Sequence, residues 1–279
     1  MIQYLYLGRV SYDEALKLQA EIAELRYQGR VENVLLLLEH PPVLTLGRNA
    51  RRANVLASDE MLARRGVTVH EINRGGDVTY HGPGQLVGYP IFDLRSLRNP
   101  SGSRMGPVDF VRGMEEALIR LCGVFGVRAG RIKGLTGVWC GLDEPQPARK
   151  IGAIGIHVSR GITSHGFAFN VTTDLRDFSL IIPCGIADHP VTSLQQEVAQ
   201  PAELPNLEAI AHQAARQFGQ VFAQQVLAVE SLQVLRAHAA AATPQTSAPA
   251  PQFPAQDTPL QVPSEVERLR STAEKPIRA

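Results

Sequence analysis

Apolar positions along the chain fall into two regimes: short runs bounded by Pro or Gly, and longer stretches where they recur every third or fourth residue. Strands interleaved with helices are the expectation. Residues 2–7 read as a first strand. Ser11 and Glu14 then form a capping-box pattern, and Ala15, Leu18, Ile22 and Leu25 mark a scaffold helix that stops at Gly29. Residues 34–38 are wholly apolar, and a Pro turn at 40–42 separates them from a second strand at 43–48. Ser58 caps a short helix running to Arg65, and residues 67–72 read as another strand.

Residues 94–106 are polar and predict a loop. Phe110, Met114, Leu118, Leu121 and Phe125 then give one face of a helix closed by Gly126. A strand ends near residues 137–141. Residues 150–158 and 162–171 read as paired strands around a turn at 159–161. Asn206 caps a last helix through Leu207, Ile210, Ala214, Phe218 and Val221, extending toward Leu235. Beyond His238 the chain turns to Ala and Pro with few bulky residues. Residues 1–236 are therefore expected to form the folded domain, where any catalytic residues must lie, and 237–279 a disordered Pro/Ala-rich tail.

Composition narrows the classes. Of 279 residues, 28 are Lys or Arg and 27 Asp or Glu, a formal net charge of +1, so bulk charge points to neither nucleic acid nor a membrane surface. No apolar run is long enough to span a bilayer, and three cysteines leave an odd thiol in any pairing scheme. A cytoplasmic protein is expected.

Candidate chemistry concentrates in two places. Residues 74–90 hold five glycines among Arg74, Asp77, Tyr80, His81 and Gln85. Glycines alone fit a hairpin equally well, but the polar groups between them favour a pocket that backbone approaches closely. Lys150 opens an apolar strand, and Cys184 sits between Pro183 and Gly185, where no regular ladder forms. Cys122 reads as helix core, and nothing beside Cys140 suggests activation. There is no phosphate loop, dinucleotide fingerprint, His-Glu-x-x-His or nucleophile elbow, so ATP, NAD, zinc and serine chemistry are unsupported. A thiol assisted by a nearby lysine remains, the lysine acting either as a neutral base or as a cation beside the thiolate.

Residues 74–90, 150–155, 165–171, 183–186 and 191–194 together resemble the lipoyl(octanoyl) transferase family, in order and over the chain as far as about Leu235. The resemblance implies an α+β fold, a mixed β-sheet flanked by helices of the biotin/lipoate protein ligase-like kind. It implies octanoyl transfer from octanoyl-acyl carrier protein to a lysine of lipoyl domains in 2-oxoacid dehydrogenase complexes and the glycine-cleavage H protein. Cys184 would carry the acyl thioester and Lys150 would lower the thiol pKa and act as acid/base. Arg74, Gly75, Gly76, Asp77, Val78, Thr79, Tyr80 and His81, with Ala153, Ile154, Gly155, Gly166, Phe167 and Ala168, would bind the acyl substrate, with no metal or other cofactor. Leu86, Ile154 and Phe167 would serve as tunnel wall or as plain core. Competing readings are an ATP-dependent lipoate or biotin ligase, which needs no Cys184, and a non-catalytic acyl or carrier-binding module. The polar insertion at 96–106 and the tail depart from the family pattern.

Overall fold

The strand β2 (Asn33–Glu39) shows why its sequence carries no polar alternation: residues 33–38 are all buried. Leu35 and Leu37 enter one apolar core and Val34, Leu36 and Leu38 the other. Such a strand is covered on both faces, and each fully buried Leu contributes about 1.5–3 kcal/mol. The computed structural model describes residues 1–99, 101–183 and 188–242.

Around β2 are ordered β1 (Ile2–Arg9), β6 (Gln85–Ile91), β7 (Ala129–Ile132), β8 (Leu135–Cys140), β9 (Arg149–Ser159), β10 (Ile162–Asn170) and β11 (Val226–Ala228). Among the described residues they form an eight-stranded sheet, β11-β1-β2-β6-β10-β9-β8-β7. β1 pairs in parallel with β2 and β11, and the remaining pairs are antiparallel, so the sheet is mixed. A second sheet of three strands, β4-β3-β5, joins β3 (Val43–Leu46), β4 (Thr68–Glu71) and β5 (Val78–His81).

Helices cover both faces of the large sheet. α3 (Pro107–Val124) and α5 (Leu207–Val221) bury Phe110, Met114, Leu118 and Phe218 against β6, β9 and β10. α1 (Tyr12–Tyr27) and α6 (Leu232–Ala241) bury Ala15, Leu18, Ile22, Leu235 and Ala239 on the opposite face. The capping box that opens α1 is formed: the Glu14 N–H donates to Ser11 Oγ at 3.3 Å, and the Ser11 N–H to Glu14 Oε2 at 3.3 Å. Ser58 likewise caps α2 (Asp59–Arg64), and Asn206 caps α5, which follows the one-turn α4 (Leu194–Glu197).

Three features differ from the sequence reading. The last helix does not continue to Leu235. It stops at Phe222, where Ala223 turns into the left-handed region at φ 50° and the chain pairs Val226–Ala228 with β1 before Ser231 caps α6. Here sheet-edge pairing outweighs helical periodicity. β7 was not anticipated, because its Ala-Gly-Arg-Ile sequence has no strand pattern of its own. The glycine-rich stretch at 82–84 is not a hairpin. β5 belongs to the small sheet and β6 to the large one, and Gly84 at φ 77° carries the chain between them.

The described residues belong to one unit, Met1–Gln245. α6 spans residue 236, where the expected catalytic domain ends. Most of the expected tail, and Cys184 with residues 185–187, lie outside the described residues. No helix among the described residues is long and apolar enough to cross a membrane.

Candidate functional site

The passage from one sheet to the other leaves a cleft whose walls come from β5 on one side and from β9 and β10 on the other. Strand alternation decides which β5 side chains reach it. Thr79 and His81 line the cleft, whereas Val78 and Tyr80 turn into the separate core of Leu44, Leu46 and Phe178. There the Tyr80 hydroxyl donates to Asp177 at 2.8 Å. Across the cleft lie Ala153, Ile154 and Gly155 of β9 and Gly166, Phe167 and Ala168 of β10, with Arg74, Gly76 and Asp77 at the small-sheet side. The cleft is tight, with an enclosed volume of about 50 Å³. Gly75 contributes backbone: its N–H donates to Ile156 O at 2.9 Å. That contact brings the glycine-rich segment so close to β9 that a Cβ on Gly155 would lie 2.5 Å from Gly75 O. Leu86 is plain core beneath α3 and α5, while Ile154 and Phe167 both support the core and line the cleft.

A narrower cavity opens from the same walls. It shares Thr79, Ala153 and Ala168 with the cleft and adds Lys150, Gln85, Asn170, Phe178, Pro183 and Val191. Lys150 is 6% exposed, with Nζ 4.6 Å from the centre of the Trp139 ring, a geometry that attracts an ammonium. Its backbone is fixed by the chain that follows residues 184–187: the Lys150 N–H donates to Pro190 O at 2.8 Å, and the Thr192 N–H donates to Lys150 O at 2.9 Å.

Buried hydrogen bonds connect the two cavities. His81 Nδ1–H donates to Gln85 Oε1 at 2.8 Å, and Gln85 Nε2 donates to Tyr80 O at 3.1 Å and to Asn170 Oδ1 at 2.9 Å. Asn170 Nδ2 donates in turn to Thr192 O at 2.9 Å, and Thr192 holds the Lys150 carbonyl. The sequence reading placed Gln85 among the polar groups of the glycine-rich pocket but assigned Asn170 and Thr192 no individual role. On the other side of His81, the Thr45 hydroxyl reaches Nε2 at 3.4 Å while accepting from Arg74 at 2.9 Å.

Burial keeps the imidazoles neutral. His81 is pushed down to about 3, first by desolvation and then by His40, with Gln85 opposing and Arg74 and His165 adding. His40, which bonds the Val10 carbonyl and the Tyr89 hydroxyl at 2.7 Å each, is pushed down to about 4, again chiefly by burial. His165 is lowered to about 4 by burial, Arg74 and His157.

His165 and Tyr12 are cleft residues that the sequence reading missed. His165 adopts φ 56°, unusual for a non-glycine residue, and its Nε2–H donates to Asn73 Oδ1 at 2.7 Å. Nδ1 is then a buried acceptor without a partner in the cleft wall. α1 is therefore more than scaffold: Tyr12 lines the cleft, and Gln19 Oε1 accepts from the His165 N–H at 2.7 Å. The described thiols, Cys122 and Cys140, are sealed. Burial raises Cys122 well above the usual thiol range and pushes Cys140 up to about 12. No cluster of three His, Cys, Asp or Glu suited to a metal occurs among the described residues.

A mixed sheet with helices on both faces and a glycine-walled cleft is the α+β architecture of lipoate-protein ligases. A lipoate-protein ligase from Thermoplasma acidophilum superposes with a TM-score of 0.63 at 16% identity, covering 86% of this chain and 91% of that one. A lipoate-protein ligase A bound with ATP gives 0.62 at 16% identity, covering 86% and 93%. At such identities the likeness concerns fold alone. The lipoyl protein ligase A/B catalytic domain matches residues 11–219, and the chain belongs to that family. Among its relatives, the octanoyltransferase of Acidobacterium capsulatum is 61% identical over 232 residues, 83% of this chain and 94% of that protein. The octanoyltransferase of Koribacter versatilis is 56% identical, covering 83% and 88%.

Proposed function

We propose that the protein is an octanoyltransferase that moves an octanoyl group from octanoyl-acyl carrier protein to a lysine of lipoyl domains, through a thioester on Cys184 assisted by Lys150. The observation that carries this reading is the cavity shared by Lys150 and Pro183, which has Thr79, Ala153 and Ala168 in common with the cleft. Cys184 follows Pro183 directly in the sequence. The far side of the 184–187 segment returns to Lys150 as well, through Pro190 and Thr192. The relatives at 61% and 56% identity, both octanoyltransferases, support the acyl group and the reaction class.

In the first half-reaction the Cys184 thiol gives up its proton to the Lys150 side and its sulfur attacks the thioester carbonyl of the donor. The carrier's thiolate leaves and recovers the proton. In the second, the amine of the acceptor lysine attacks the new thioester and passes a proton to the Lys150 side, the Cys184 thiolate is expelled as the amide forms, and that proton returns to its sulfur. Both donor and intermediate are thioesters and the product is a more stable amide, so no ATP is consumed. Glycine-walled backbone offers N–H groups to the carbonyl oxygen as charge develops on it. Ala153, Ile154, Phe167 and Ala168 receive the acyl chain, and Arg74, Asp77 and His81 hold the polar lip. The acceptors are lipoyl domains of 2-oxoacid dehydrogenase complexes and the glycine-cleavage H protein, met in the cytoplasm. Intact mass spectrometry after incubation with octanoyl-acyl carrier protein tests the proposal. A hydroxylamine-labile octanoyl adduct forms without ATP and is lost in Cys184→Ala. An adduct that persists in that variant, or forms only with ATP, rejects it.

A further inference from the structure

The loop that follows β3 borders the cleft and carries charge out of proportion to the chain. Residues 47–57 contain Arg48, Arg51 and Arg52 and no Asp or Glu, in a protein whose net charge is +1. Main-chain bonds fasten this loop to the cleft lip: the Arg48 N–H donates to Arg74 O at 3.0 Å and the Asn49 N–H to Gly76 O at 3.1 Å. The Arg51 N–H donates to Asp77 Oδ1 at 3.3 Å. The three arginines are exposed; Arg52 pairs with Asp59, and Arg48 and Arg51 form no ion pair among the described residues. Leu56, 60% exposed, stands in the same loop as an apolar centre.

The loop is also stitched to the chain that leads to Cys184. The Leu56 N–H donates to Leu180 O at 2.8 Å, and the Ile182 N–H donates to Asn54 O at 2.7 Å. A protein resting on this loop is therefore within reach of both the cleft mouth and the approach to residue 183.

We propose that the loop bearing Arg48, Arg51 and Leu56 is the docking surface for the acyl donor, an acidic carrier protein presenting its thioester on a phosphorylated arm. The inference rests on the donor reading above and adds the surface and the charge of the partner. Charge complementarity favours the donor: its thioester arm carries a phosphodiester that must enter the cleft beside these arginines, whereas the acceptor's reacting lysine brings no anion to it.

The test is the double variant Arg48→Glu/Arg51→Glu, compared with the full-length wild type in three rate measurements. These are acylation by octanoyl-acyl carrier protein, acylation by octanoyl-N-acetylcysteamine, which has no carrier surface, and transfer from pre-acylated enzyme to a lipoyl domain. Acylation by the carrier falls about tenfold or more in kcat/KM and loses most of its salt dependence, while the other two rates keep their wild-type values. Equal losses with carrier and small thioester would show damage to the cleft and overturn the docking surface. Loss confined to the lipoyl-domain step would make it an acceptor surface, and no change in any rate would remove it altogether. A wild type that takes octanoyl from neither thioester would sink the underlying transferase reading, which is a separate outcome.

Discussion

Glu115 Oε1 accepts a hydrogen bond from the Gly137 N–H at 3.0 Å, and through it α3 fixes the floor on which Lys150 lies. Glu115 is fully buried, and its second oxygen is held by Arg112 at 2.6 Å and Arg131 at 3.0 Å. Gly137 takes φ 130°, and a Cβ there would lie 2.6 Å from Gly152 O and 3.2 Å from Lys150 Cε. No other residue type leaves that space.

Gly137→Ala therefore displaces the lysine side chain or β9 itself. Acyl-enzyme formation with octanoyl-acyl carrier protein is expected to fall at least tenfold while the far-ultraviolet circular dichroism stays that of the wild type. Glu115→Ala leaves the Gly137 N–H unpaired at a cost of about 1–3 kcal/mol, and Glu115→Gln, which keeps the acceptor, recovers part of that loss in urea unfolding. Wild-type acylation by Gly137→Ala would show that the space beside Lys150 is unimportant.

If the acyl chain lies in the cleft as proposed, the residues shared by the two cavities limit its length. Ala153 lines both. Ala153→Leu fills the passage, so octanoyl loading is expected to drop strongly while acetyl or butyryl thioesters still acylate the enzyme. If octanoyl and acetyl donors are affected equally, the chain does not run through this junction.

Asn170→Leu removes the link between Gln85 and Thr192. It leaves a Gln85 N–H and the Thr192 carbonyl without partners, and each unpaired group costs about 1–3 kcal/mol. The midpoint of urea unfolding should fall accordingly. An unchanged midpoint would mean that the chain of hydrogen bonds contributes little.

Acid should weaken the protein through its buried histidines. His40 and His165 are held near 4 and His81 near 3, below the value of about 6.5 they recover on unfolding. As pH falls below 6.5 the unfolded chain takes up protons that the native state refuses, so stability declines toward the folded values and is unaffected above 6.5. The slope is about 1.4 kcal/mol per pH unit for each independent histidine. Urea unfolding at pH 7.5, 6.0 and 5.0 reads it, and a flat profile contradicts the buried neutral cluster.

Local pattern revealed the elements wherever neighbouring residues decide the structure. The Ser11 and Glu14 cap, the doubly buried 34–38 run and the β9–β10 hairpin follow from their own sequences. Strand alternation would also have separated Thr79 and His81 from Val78 and Tyr80, because a two-residue period sends them to opposite faces. What stayed illegible depends on distant partners. Tyr12 reaches the cleft only because α1 packs across the large sheet, and His165 joins the wall through a left-handed backbone that no side-chain pattern announces. Ala223 breaks the last helix because β1 offers an edge more than two hundred residues away in the chain. Pro183 and Pro190, which precede and follow Cys184 in the sequence, both reach Lys150, one through the shared cavity and the other through its carbonyl.

The central claim is that Lys150 makes the Cys184 thiol reactive, and the rate of iodoacetamide alkylation of Cys184 against pH tests it most directly. Mass spectrometry of the peptide containing Cys184 follows this in wild type and Lys150→Met. The wild-type profile is predicted to inflect below the ordinary thiol value of about 8.5 and to move upward in the variant. Superimposable profiles in the two proteins would contradict it.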